Sequence, residues 1–101
     1  MKLVRDGIPQ IIEEGGGTCK VRKVHGVDEH IIFLRAKMIE ETNEFVSDPS
    51  YEEAADMIEV VKAFCHLNDL DWTTALRMAW LKAEERGGFY KGILLQKVDA
   101  E

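Results

Sequence analysis

The feature that most constrains this chain is a helical spacing of apolar residues that runs, with two short interruptions, from Asp28 to Arg86. Ile31, Leu34, Met38, Phe45 and Val46 mark a first stripe, and Met57, Val60, Val61, Phe64 and Leu67 mark a second. Recurrence at three, four and seven residues is the period of an amphipathic helix, not of a strand. The first main helix is predicted to start near Asp28, a good N-cap, and to stop before Asp48-Pro49. The second takes Asp48 or Ser50 as its cap, has Pro49 suited to its first turn, and continues to about Leu67. The third begins after Asp71, runs from Trp72 through Ala75, Ala79 and Leu81, and ends at Arg86-Gly87-Gly88. Gly87 is placed to be its left-handed terminating residue. Loops this short make neighbouring helices antiparallel, so residues 1–101 read as one all-α domain, an antiparallel helical bundle.

The ends are less regular. Ile8 to Glu14 predicts a short helix stopped by Gly15-Gly16-Gly17. Cys19 to Val24 and Gly92 to Val98 are read as extended pieces that pair with each other. A domain of 101 residues can bury roughly two thirds of its unfolded surface, so it needs no disulfide or metal simply to have a core. Cys19 and Cys65 form no C-x-x-C, and Cys65 sits in an apolar helical pattern as a small core residue. His25, His30 and His66 form neither H-E-x-x-H nor E-x-x-H, which excludes the common zinc and di-iron helix motifs. The longest apolar runs, such as Ile93-Leu94-Leu95, fall far below the ~20 residues of a membrane span. The first six residues already carry Lys2, Arg5 and Asp6, unlike a secretory signal, and the chain reads as cytoplasmic.

Charge is unevenly spread. Residues 1–25 hold 5 basic and 3 acidic side chains, residues 26–72 hold 3 and 12, and residues 73–101 hold 5 and 4. The net charge of −6 argues against a nucleic-acid binder, which needs phosphate-neutralising cations gathered on one face. An acidic middle between basic ends suits a site that holds divalent cations and, through them, an anionic ligand. A solvated acidic helix surface would give the same totals.

Helical wheels separate these readings. On the second helix Glu52, Glu59, Lys62 and His66 fall on the polar face, whereas Glu53 and Asp56 fall inside the apolar arc. On the first helix Glu41 lies at the edge of the apolar stripe beside Leu34, Glu44 lies one step further round, and Glu40 points more nearly outward. Two adjacent antiparallel helices thus each direct a pair of carboxylates, three residues apart, toward a shared interface. Bare carboxylates in a partly apolar groove repel one another and resist desolvation, and divalent cations relieve both effects. Oxygen-only ligation favours Mg²⁺ or Mn²⁺ over zinc or copper. Simpler roles exist for two of the four: Ser50-x-x-Glu53 fits a capping box, and Lys37 is spaced to pair with Glu41. Asp56 has no such local explanation, because aspartate is a poor mid-helix residue and a costly one on an apolar arc.

The series Glu40-Glu41-Thr42-Asn43-Glu44 followed by Glu53-Ala54-Ala55-Asp56 resembles the E-E-x-x-E … E-x-x-D signature of the all-α nucleotide pyrophosphohydrolases, the MazG-like and phosphoribosyl-ATP pyrophosphohydrolase-like superfamily. Lys2-Leu3-Val4-Arg5-Asp6 with Ile8-Pro9, and Glu85-Arg86-Gly87-Gly88-Phe89 with Lys91-Gly92-Ile93, are similar to the opening and closing segments of a small predicted house-cleaning subgroup. The three segments in order span nearly the whole chain. Only eight residues separate Glu44 from Glu53, fewer than in larger MazG-like members, so the hairpin must turn tightly. Gly7 stands where that subgroup carries a basic residue.

The resemblance implies a MazG-like bundle completed by formation of a homodimer or homotetramer. It implies Mg²⁺-dependent hydrolysis of a nucleoside triphosphate between its α and β phosphates, with Mn²⁺ as a substitute. Glu41, Glu44, Glu53 and Asp56 become the metal ligands, and Glu40 and Glu41 the catalytic glutamates, with Glu40 orienting water or a second ion. Lys2, Arg5, Arg86 and Lys91 become the phosphate-binding side chains. Trp72, Trp80, Phe89 and Tyr90 are possible base-stacking surfaces, but aromatics at such spacings are commonly core. Two other classes compete with this one. A catalytically silent helical interaction module would use the same acids as a solvated groove or contact, and a non-enzymatic Ca²⁺ or Mg²⁺ binder is disfavoured because the chain has no twelve-residue EF-hand loop.

Overall fold

The computed structural model describes residues 1–99 and contains four helices. α1 spans Ile8–Glu14, α2 Val27–Ser47, α3 Tyr51–Leu67 and α4 Trp72–Arg86. The chain forms two compact units, Met1–Leu70 and Asp71–Glu101. No helix among the described residues is long and apolar enough to cross a membrane.

Local chemistry sets the helix ends. α1 carries Pro9 in its first turn, where a missing N–H costs nothing, and stops at Gly15. Gly16 follows at φ +89°, a conformation that side chains with a Cβ rarely adopt. α3 starts on Ser50, whose hydroxyl accepts from the Glu53 N–H at 3.2 Å. Of the two predicted caps, Ser50 is therefore the one used, and Pro49 lies before it instead of in the first turn. At the far end of α3 the Asn68 side-chain amide donates to the Phe64 carbonyl at 2.8 Å. α4 starts where predicted, with the Asp71 carboxylate accepting from both the N–H and the hydroxyl of Thr74 at 2.9 Å. It ends on Gly87 at φ +82°.

The start of α2 departs from expectation. The helix begins at Val27 after Gly26, and Asp28 sits inside the first turn instead of capping it. No side chain caps α2, and Glu29 of its first turn instead ties the helix to the preceding segment. Its carboxylate receives the His25 N–H at 2.9 Å and the Arg22 guanidinium at 2.7 and 3.3 Å. Arg22, foremost, and the His25 N–H hold the Glu29 carboxyl down at about 2.

α2 and α3 are the two helices that pack on each other. Leu34 and Ala63 border one groove near the middle of the pair, Thr42 meets Met57, and Glu44 stands beside Glu53 near the turn. Numbers that rise along one helix as they fall along the other describe an antiparallel hairpin, as the short loop required. The inward faces match the wheels: Leu34 and Val60 are buried, and Ile31, Met38, Phe45, Met57, Val61 and Phe64 are half-buried around them. That core is smaller than a chain of this length can build. Ile32, Ile39 and Val46 on α2 remain 62%, 65% and 74% exposed, and Ile58 on α3 58%. In the second unit, Leu76, Met78 and Trp80 of α4 are also about half exposed or more.

The predicted extended pieces are not strands. No strand occurs among the described residues, and Cys19 to Val24 and Gly92 to Val98 carry irregular backbone. Val21, Ile93, Leu94 and Leu95 are all largely exposed, so neither segment has a buried face to fix a register.

The Glu29 carboxylate, held by Arg22 and the His25 N–H, makes part of the stability acid-sensitive. A carboxyl whose folded pKa lies below its unfolded one contributes fully above the unfolded value and loses that contribution as pH falls through the folded one. The window here runs from the ordinary 4.5 down to about 2. Thermal melts across that window should show wild type losing stability more steeply than Glu29→Gln, and parallel curves would refute the assignment.

Candidate metal centre

The α2–α3 hairpin brings Glu41, Glu53 and Asp56 together. One carboxylate oxygen from each lies within 4.8 Å of the other two. Ligands on opposite sides of a small octahedral ion at ~2.1 Å stand about 4.2 Å apart, so rotations moving these oxygens by under about an ångström would let one ion touch all three.

Each carboxylate arrives there through its helix position. Glu41 follows Leu34 by two turns of α2, and Glu53 and Asp56 precede Val60 by two turns and one turn of α3. Glu41 is consequently the one buried charged residue among those described, 5% exposed. Its Oε2 and the Oε2 of Glu53 are buried and accept no hydrogen bond. An orphaned buried carboxylate oxygen forfeits its hydration with nothing in return. Burial accordingly pushes the Glu41 carboxyl up, opposed by Lys37 and reinforced by the charges of Glu44 and Asp56. Burial also raises Glu53, with Asp56 and Glu41 adding to the effect. Two orphaned oxygens facing a third carboxylate are the chemistry that a hard divalent cation satisfies, and the donor set is all oxygen. The residues fit such an ion.

The simpler role proposed for Glu53 accounts for its backbone only. Its N–H is held by Ser50, but no reciprocal bond from the Ser50 N–H to the Glu53 carboxylate occurs among the described residues. Glu44, the fourth predicted ligand, is exposed near the C-terminal end of α2. It stands beside Glu53 and adds charge at Glu41, yet it is not one of the three whose oxygens converge. Glu40 lies on the far side of Lys37, with Oε2 3.6 Å from Nζ, and lines a smaller cleft together with Lys2.

Of the predicted phosphate ligands, Arg5 is at the site. Its Nη2 donates to Asp56 Oδ1 at 2.6 Å across 51 residues of sequence. Lys2 borders the smaller cleft. Arg86 and Lys91 belong to the second unit, in the last turn of α4 and beyond it.

Beside the three carboxylates, α2, α3 and the segment Leu3–Asp6 enclose a groove of about 310 Å³. Leu34, Val60 and Ala63 form its apolar floor, while Asp6, His30, Lys37 and Glu59 are among its polar lining. Glu59, on the polar face of the wheel, is exposed but still reaches this lining. Sequence reasoning treated Lys37 only as a partner for Glu41. Its side chain is 19% exposed, and Nζ lies 3.4 Å from Glu41 Oε1. The signal was present: Lys37 stands three residues after Leu34 and four before Glu41, hence on the inward face. The chain matches no known protein family, no curated protein and no solved structure.

The orphaned oxygens generate a prediction. Glu53→Gln removes a like charge from the cluster and a ligand from the ion. The metal-free variant should melt above wild type, while Mn²⁺ affinity should fall by more than the ~10–100-fold that follows loss of an outer-shell partner. Glu52→Gln, on the exposed face, should change neither. A Glu53→Gln variant that binds Mn²⁺ like wild type would dissolve the site.

Proposed function

We propose that this protein is a Mg²⁺-dependent nucleoside triphosphate pyrophosphohydrolase of MazG-like architecture, with Mn²⁺ as substitute. It cleaves between the α and β phosphates to give a monophosphate and pyrophosphate, in a house-cleaning role in the cytoplasm. The observation that carries the reading is the convergence of Glu41, Glu53 and Asp56 with two of their oxygens buried and unpartnered. The E-E-x-x-E … E-x-x-D resemblance supplies the reaction class.

Glu41, Glu53 and Asp56 hold the cation, and Glu44 adds negative charge at the open end of the hairpin. When bound there, a divalent cation would supply polarisation of the phosphoryl group and a lower pKa for an attacking water. Lys37 pairs with Glu41 through Oε1 at 3.4 Å, and Glu41 Oε2 is buried without a partner. Glu40 also lies near that lysine, and its role beside Glu41 in orienting water is what the resemblance implies. Lys2 and Arg5 would meet the charge of the triphosphate, and the resemblance gives Arg86 and Lys91 of the second unit the same role. The apolar floor of the groove excludes water from one side of the bound nucleotide. A homodimer or homotetramer is supported by Ile32, Ile39 and Val46, which repeat every seven residues along an exposed stripe of α2. Seven-residue repeats on one helix form a seam for a second helix.

Hydrolysis in ¹⁸O-labelled water, with Mg²⁺ and a panel of ordinary and damaged nucleotides, tests the reaction. Label should enter the monophosphate and not the pyrophosphate, and a chelator should abolish turnover. Ca²⁺ should bind but turn over poorly, because its looser shell holds the attack geometry less tightly. Orthophosphate with a nucleoside diphosphate would mean attack at the γ position. No hydrolysis with metal bound would favour the silent interaction module.

The basic residues generate a separate prediction. Arg86→Ala should weaken triphosphate binding several-fold while leaving Mg²⁺ binding without nucleotide unchanged. Wild-type triphosphate affinity would reduce Arg86 to a helix-terminal surface charge.

A further inference from the structure

We propose that Arg5 is a built-in occupant of the carboxylate site, a latch on the N-terminal segment that a divalent cation displaces, opening the groove. The proposal rests on the reading that Glu41, Glu53 and Asp56 hold such a cation, and it concerns what the chain does before the cation arrives.

Three observations carry it. The Arg5 guanidinium is bonded at 2.6 Å to Oδ1 of Asp56, one of the three converging carboxylates. Among the described residues this is the one ion pair joining residues 1–7 to the hairpin, and those residues form no regular element of their own. The same segment, through Leu3, Val4, Arg5 and Asp6, forms one wall of the groove beside the site. The bond is thus both a contact with a metal ligand and the polar anchor of a movable wall.

Electrostatics then makes two occupants compete. Without an ion, three carboxylates face two fixed cations, Arg5 on Asp56 and Lys37 on Glu41. The two cations differ in how they are held. Lys37 is mostly buried and grips its partner from within the same helix, whereas the Arg5 side chain is 54% exposed and 51 residues away in sequence. A divalent ion needs the oxygens that face the cluster and repels a guanidinium a few ångströms away. Arg5 is the one that can leave.

Its departure loosens residues 3–6 as a groove wall and frees a planar guanidinium at the mouth of the space. That fork suits two phosphate oxygens at once. Cation first, nucleotide second, with Arg5 passing from Asp56 to the phosphates, is the order this arrangement enforces. It also reconciles Arg5 as phosphate ligand with its position on a metal ligand here.

The test uses the full chain, nucleotide-free, with Mn²⁺ alone as titrant. Arg5→Ala should bind Mn²⁺ about two- to fivefold more tightly than wild type, the fold-change matching the modest strength of a half-exposed ion pair. Arg5→Lys should lie between, and the differences should shrink at high salt. As a second readout, Mg²⁺ should speed amide hydrogen exchange at residues 4–8 in wild type. In Arg5→Ala those amides should already exchange fast and respond little to Mg²⁺. Equal or weaker Mn²⁺ affinity in Arg5→Ala, or exchange in wild type that the ion leaves unchanged, would overturn the latch while leaving the metal centre standing. Failure of both proteins to bind Mn²⁺ would overturn the metal reading and the latch with it.

Discussion

Everything in the first unit depends on carboxylates being held where apolar side chains belong. The α2–α3 interface has Leu34 and Val60 as its buried apolar pair, and Glu41 is buried with them. A helix pair optimised only for stability would place a leucine at Glu41 and an alanine or valine at Asp56, since unpaired buried charge is among the costliest features a fold can carry. The hairpin tolerates the arrangement because two cations partly neutralise it, while the raised carboxyls of Glu41 and Glu53 express what burial still costs. Sites that give up stability in this way are characteristically functional ones.

The two cations divide the work. Lys37 is local, four residues before the glutamate it holds on the same helix, and its side chain is mostly buried. Arg5 is remote and ties an otherwise irregular segment across the mouth of the groove.

A thin core and an exposed stripe are connected facts. Two helices packed on each other cover one face of each, and the opposite faces stay bare unless something else lies on them. On α2 that bare face is aliphatic at seven-residue intervals, which costs solubility unless a partner surface covers it. Spending the inward face on carboxylates makes such a partner more valuable, because apolar burial lost inside the hairpin can be regained outside it.

Helix boundaries and wheel positions were legible in the sequence because both are local. Ser50, Asp71 and Gly87 act on backbone groups within one turn, and at 100° per residue the faces of Glu41, Glu53 and Asp56 follow from Leu34 and Val60 alone. The start of α2 was misplaced at Asp28 because a cap rule looks for a side-chain acceptor, whereas this helix starts after Gly26 with no side-chain cap and takes Asp28 into its first turn. The expected strands were absent because alternation without a buried face specifies nothing.

What the sequence by itself determined is therefore an all-helical chain with an acid-lined hairpin. Only the tertiary structure decided which of four acids converge. Glu44 stands beside Glu53 but is exposed and outside the trio, whereas Glu53 and Asp56 bring their oxygens to Glu41. It also decided that Arg5 rests on Asp56, since a contact between residues 51 apart is fixed by how the segment crosses the hairpin. No periodicity within either stretch encodes that crossing.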